Sequence, residues 1–207
     1  MKYIDLKEQL KDFTIFSLTD IKRIEPHFHR TRLNEWQRKG YLKKIVKGYY
    51  TFSSQNLNEN TLFEIANRIY APSYISLEMA FSWYHLIPES VYGITSVSTR
   101  RTFEIHSVIG DFIYKTVKPE LFFGYELVKY NNKHIKIASI EKAVLDYFYL
   151  NPHIKQEADF SSLRFNAENF LDRLNRETFF NFLDRFKQKS LSKRIHAFLN
   201  YQESASN

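Results

Sequence analysis

The chain has no cysteine. Disulfides, thiolate metal sites and cysteine nucleophiles are therefore excluded, and a reducing cytosol is the simplest home for it. Glycine and proline are scarce, five of each in 207 residues. They are scattered, so no collagen-like repeat, flexible linker tract or Gly-rich phosphate loop exists. No apolar run is long enough to span a bilayer. The start, MKYIDLKEQLKDF, alternates charged with apolar residues and does not read as a signal peptide. The expectation is a cytoplasmic protein that does not enter membranes. Acidic residues are the minority, 23 against 30 Lys and Arg, for a net charge of +7.

Aromatic residues are abundant, with 19 Phe and 14 Tyr. Hydrophobic residues make up 43% of the chain, enough for a core packed by large rings. The positive charge is unevenly spread. Thr14 to Phe52 holds nine Lys and Arg against three Asp and Glu, a net +6. Nearly the whole excess lies in about one fifth of the chain, as expected where a module meets the phosphates of DNA. The alternative is a solvated basic face.

The apolar spacing predicts a helix over Lys2–Phe13 with Ile4, Leu6, Leu10 and Phe13 inward. A second helix begins after Ser17, with Asp20 three residues on as a capping box. Its buried stripe is Leu18, Ile21 and Ile24, and Pro26 stops it. A third spans Phe28–Lys39, with Leu33 and Trp36 inward and Gly40 in the left-handed position that ends helices. Tyr41–Ile45 and Tyr49–Phe52 then read as a hairpin turning at Val46–Lys47–Gly48. Three helices and a basic hairpin are the order of a winged helix-turn-helix, assigned to residues 1–56. Polar Ser53–Asn60 reads as a linker.

Residues 61–207 read as a second domain. Helices are expected over Thr61–Tyr70 and Ser76–Tyr84. Strands are expected over Val91–Ser98, Arg101–Ser107, Phe112–Val117 and Tyr125–Ile137, with hairpin turns at Gly110–Asp111 and Asn131–Asn132. Ser139 caps a helix to Leu150. Two or three amphipathic helices fill Asn166–Tyr201, and the final ESASN is expected to fray. The fold class is α+β: a winged helix, then a mixed domain of antiparallel strands and helices with a helical tail.

A recognition helix enters the major groove by its N-terminal part. Here that part carries His29, Arg30, Thr31, Arg32 and Asn34. Arg30 suits a bidentate bond to guanine and Asn34 one to adenine. Arg32 and Arg38 suit phosphates, which position without specifying. Lys43, Lys44 and Lys47 place charge on the hairpin. His27 and His29 do not make a metal site, since no further ligands stand near. Arg100 and Arg101 form a possible second basic patch, or an ordinary exposed corner. The basic stretch Lys187–His196 is read as a solvated helix face.

Thr14–Phe52 together with YISLEMAFSWYHLIPESVYGITSVSTRRTFEI (Tyr74–Ile105), VKPELFFGYE (Val117–Glu126) and IASIEKAVLDYFYL (Ile137–Leu150) resembles the abortive-infection AbiEi-like antitoxins of type IV toxin–antitoxin systems. One departure is Ile140 before the Glu-Lys-Ala run, where that family often has proline. The resemblance implies a repressor of its own operon that binds an inverted-repeat operator in double-stranded DNA. It also implies a functional partner, a nucleotidyltransferase-like toxin, neutralised without a stable complex. The second domain is implied in the antitoxin activity.

The second domain offers few candidates for catalytic chemistry. Ser139, Glu141, Lys142 and Asp146 are the best group. Ser139 reads as a cap, and Lys142 with Asp146 as an ordinary surface ion pair four residues apart. Asp111, Glu120 and Glu126 match no metal-nuclease spacing. The expectation is no enzyme, no cofactor and no metal. The alternatives are a stand-alone winged-helix regulator without a toxin and a nucleic-acid-processing enzyme targeted by the winged helix.

Overall fold

The structure is a computed structural model that describes residues 1–89, 91–130 and 132–205. It is α+β. The N-terminal part holds α1 (Tyr3–Gln9), β1 (Phe16–Ser17), α2 (Leu18–Ile24), α3 (Thr31–Arg38), β2 (Leu42–Val46) and β3 (Tyr49–Phe52). The three strands form an antiparallel sheet in the order β1-β3-β2. The capping box is present: Ser17 Oγ accepts from the Asp20 amide at 3.2 Å, and the Ser17 amide donates to the Asp20 carboxylate at 2.8 Å. These bonds satisfy orphan donors at the start of α2. Gly40 takes φ +72 behind α3, as its position requires.

Several local expectations need correction. Ile4 is 76% exposed and Ile24 38%. The inward set on α1 is Tyr3, Leu6 and Leu10, whose ring and branches meet Trp36, Phe16 and Phe52. α3 begins at Thr31, so Phe28 is buried from the preceding turn rather than from the helix. Val46 pairs with Tyr49, which leaves Lys47–Gly48 as a two-residue turn. β1 is too short to announce itself in sequence.

The remainder builds around a six-stranded sheet. Its strands are β4 (Ser73–Ile75), β5 (Ile94–Ser98), β6 (Phe103–Ser107), β7 (Gly110–Thr116), β8 (Tyr125–Tyr130) and β9 (Lys133–Ala138), in the order β6-β7-β5-β4-β9-β8. The expectation of antiparallel strands is corrected here, because β5 runs parallel to β7 and β4 parallel to β9. The expected turn at Gly110–Asp111 is also displaced. Ser107 pairs with Gly110, so Val108–Ile109 turn the chain and Gly110 opens β7. Tyr130 pairs with Lys133; the expected Asn131–Asn132 turn includes Asn131, which lies outside the described residues.

Helices cover both faces of this sheet. α4 (Glu59–Ile69) lies on one, where the Tyr114 hydroxyl donates to the Ala66 carbonyl at 2.8 Å. Asn67 completes β9 from α4: its side chain accepts from the Lys136 amide at 2.6 Å and donates to the Lys136 carbonyl at 3.3 Å. α5 (Leu77–Trp83) and α6 (Ile140–Leu150) lie on the other face. Ser139 caps α6 as expected. The tail consists of α7 (Glu157–Ser162), α8 (Ala167–Arg173), α9 (Arg176–Phe186) and α10 (Lys189–Ala205); α9 and α10 pack on α6, and α7 and α8 pack on α10. Within the expected frayed end, Glu203–Ala205 are helical, while Ser206 and Asn207 lie outside the described residues.

The buried apolar side chains form two clusters. The smaller joins α1, α2, α3 and the hairpin, and contains Leu6, Leu10, Phe16, Leu33, Trp36 and Phe52. The larger fills the rest, but it also takes Ile15 and Ile45 from the N-terminal part. Ile45 is a bulge: Lys44 pairs with Tyr50 and Val46 with Tyr49, so Ile45 has no partner across the hairpin. An extra residue bends a strand locally, and here it is the residue buried in the larger core.

Candidate nucleic-acid interface

α3 is held against its neighbours by Leu33 and Trp36. The Trp36 ring lies 5.6 Å from Phe28 and 5.7 Å from Tyr3. A helix fixed by these contacts presents its remaining positions to solvent. His29, Arg30, Thr31, Arg32, Asn34 and Arg38 are all exposed, and so are Lys43, Lys44 and Lys47 on the hairpin. The first two stand in the turn that leads into α3, and Arg30 is its N-cap residue.

The exposed set is not uniform. Arg32 Nη1 donates to the Met1 carbonyl, which ties the chain's start to α3. Glu35 pairs with Lys39 at 2.7 Å, one turn apart, and that pair holds the Glu35 carboxyl below its ordinary range. Arg30, Arg38, Lys43, Lys44 and Lys47 enter no ion pair among the described residues. These five cations therefore remain available to an anionic partner.

Arg100 and Arg101 sit between β5 and β6, and the fold uses them differently. The Arg100 guanidinium lies 4.0 Å from the Tyr70 ring centre and donates to the Ala71 carbonyl at 3.2 Å. Arg101 offers its carbonyl to the Tyr70 hydroxyl at 2.8 Å, and its side chain is exposed. Arg100 is thus partly committed to the corner, while Arg101 is free to meet solvent.

A polar seam joins this N-terminal part to the larger unit. Lys133 donates to Glu64 at 2.7 Å and to Thr14 Oγ1 at 2.9 Å. Thr14 also donates to Glu64, and Thr51 donates to the Thr14 carbonyl at 2.8 Å. Arg68 on α4 reaches Asp20 at 2.8 Å and lies over Phe13. Burial works against the Asp20 charge, but the Ser17 hydrogen bonds, Arg68 and Arg23 outweigh it and hold the carboxyl below its ordinary range. Three bonds that cross the seam, Thr14 to Glu64, Lys133 to Thr14 and Arg68 to Asp20, are not visible as a local motif. They join residues about 50 to 120 positions apart.

One group was placed wrongly from sequence. Lys142 and Asp146 are not on the surface; both side chains are 0% exposed. Asp146 accepts from Lys142, from the Tyr74 hydroxyl at 2.8 Å and from Ser76 at 3.0 Å. Lys142 is walled by Phe123 and Phe186, with its nitrogen 4.9 and 5.1 Å from the ring centres. Burial pushes the lysine down and the aspartate up, and their mutual attraction opposes both shifts. Glu141, the next residue in that group, accepts from the Asn175 amide at 3.0 Å. Lys142, Asp146, Tyr74 and Ser76 form a buried network.

Among the described residues, no three or more His, Asp or Glu side chains are placed to hold a metal ion, and no helix is long and apolar enough to cross a membrane. No protein-family model matches the chain, and no curated protein matches it.

Proposed function

We propose that residues 1–56 form a winged helix-turn-helix that binds double-stranded DNA. One observation carries this reading. The nine polar and basic residues picked from sequence are all exposed, and all lie on α3, the turn before it or the β2–β3 hairpin. Arg30 and Asn34 stand at the helix start that would address base edges. The lysines stand on the wing, where charge meets phosphate. β1 pairing with β3 closes the small sheet behind the helices, as a winged helix requires.

The wider role rests on the resemblance through Tyr74–Leu150. The chain is proposed as a cytoplasmic transcriptional autorepressor, not an enzyme. It acts as the antitoxin of a type IV toxin–antitoxin system in abortive infection, a defence against phage. Its DNA partner is an inverted-repeat operator. Its functional partner is a nucleotidyltransferase-like toxin with which it makes no stable complex.

Fluorescence anisotropy with DNA from the gene's own promoter tests the first part. Affinity should fall by orders of magnitude between roughly 50 and 200 mM salt if six or more phosphates are neutralised. Equal affinity for shuffled DNA would remove the operator from the proposal. For the second part, the neighbouring toxin is expressed from an unrelated promoter. A full-length Arg30→Ala/Lys43→Ala/Lys47→Ala variant should lose DNA binding and still rescue growth. Operator binding by the wild type without rescue would reduce the role to a stand-alone regulator.

A further inference from the structure

A second cationic surface lies where the loop after β7 meets the end of α9. There a cavity of about 480 Å³ is lined by Lys118, Arg185 and Lys187, with Glu120 the one carboxylate on its wall among the described residues. None of the three cations enters an ion pair among the described residues. They come from two separate elements, the loop after β7 and the end of α9, so their convergence is a product of the fold. Three like charges gathered without partners repel one another, and an anion between them relieves that repulsion.

Two further details point to a ligand with both charge and a flat body. The Arg185 guanidinium is stacked 3.4 Å from the Phe123 ring centre. That fixes its plane and leaves its N–H fork for an oxyanion. The lining also carries Tyr149 and Phe186, whose rings are 5.4 Å apart. Lys187 sits at φ 51, ψ 35 as the C-cap of α9. Glycine or asparagine is the usual choice there, because a Cβ is strained in the left-handed region. A lysine at this position sacrifices local comfort and sets a cation on the cavity rim.

We propose that this cavity binds a nucleoside phosphate, with the phosphate between Lys118, Arg185 and Lys187 and the base against Tyr149. Base–aromatic contact tolerates any base, so a free nucleotide and the phosphorylated end of a single strand share the required chemistry. The site is separate from the proposed DNA interface. Arg185 also repels the buried Lys142, so a bound anion stabilises the internal pair and raises the melting midpoint.

The full chain is titrated by calorimetry at low salt with AMP, ATP, inorganic phosphate and a 5′-phosphorylated single-stranded tetranucleotide. AMP, ATP or the tetranucleotide should bind about tenfold or more tightly than inorganic phosphate. Preference among the three identifies the source, free nucleotide or strand end. Lys118→Gln and Lys187→Gly should each weaken binding about fivefold or more, with operator binding unchanged. Lys187→Gly is the sharper variant. Glycine accepts the left-handed backbone, so the melting midpoint should hold or rise while binding falls. No saturable binding by any of the three nucleotide ligands would overturn the proposal. So would unaltered affinity in both variants, or affinity no greater than that of inorganic phosphate for all three nucleotide ligands.

Discussion

Lys142 and Asp146 stand one helical turn apart, and in sequence that spacing is indistinguishable from a solvated pair. What separates the two cases is distant: Tyr74 and Ser76 on one side, Phe123 and Phe186 on the other. Removing one charge strands the other in a fully buried site, at a cost of about 3–5 kcal/mol. Lys142→Met should therefore destabilise strongly in chemical denaturation. Lys142→Met/Asp146→Asn should lose less than the single change, because Asn still accepts from Tyr74 and Ser76. Additive losses would show that the pair is not coupled. Gly124 belongs to the same neighbourhood. Its φ is +71, and a Cβ there would lie 2.8 Å from Phe182 and 3.1 Å from Lys142. Gly124→Ala combines backbone strain with overpacking, and should cost about 2–4 kcal/mol in the same assay. A cost under about 0.5 kcal/mol would mean that Phe182 yields freely. The glycine is plain in the sequence, but the contact that demands it joins α6 and α9.

At the scale of elements, what was legible was local. Capping at Ser17 and Ser139 needs only neighbours, as does the left-handed Gly40, and all three stand where the sequence placed them. The exposed positions of α3 followed from burying Leu33 and Trp36. β1 and β4 were invisible because two and three residues carry no alternation; pairing with β3, β5 and β9 makes them strands. Gly110 suits a turn by composition, yet it begins a strand because it pairs with Ser107. The cations around the 480 Å³ cavity form no local pattern, since Lys118 is far from Arg185 in sequence. α3 and the hairpin should fail differently when altered. Arg30→Ala should lose about 1–3 kcal/mol of discrimination between operator and random DNA. Lys47→Ala should weaken both DNAs about equally. Equal loss from Arg30→Ala, measured by anisotropy, would place Arg30 on a phosphate instead of a base.

At the scale of the molecule, the polar stretch Ser53–Asn60 divides two apolar clusters, and yet the two parts are fastened together. Ile15 and Ile45 cross into the larger core, and Arg68, Glu64 and Lys133 bond across the seam. Exposing two fully buried aliphatic side chains costs about 3–6 kcal/mol. A small domain has only about 5–15 kcal/mol in total. A fragment of residues 1–60 should therefore melt well below the intact chain, or show no cooperative melt, by circular dichroism. A fragment that melts like the whole would show the seam to be energetically idle. The bulge at Ile45 has one more consequence. The hairpin that carries Lys43, Lys44 and Lys47 cannot shift without disturbing the larger core, so a ligand that displaced the hairpin would be expected to be linked to one bound by the larger unit. Linkage is reciprocal: whatever factor a ligand of the larger unit applies to DNA affinity, DNA must apply to that ligand in return.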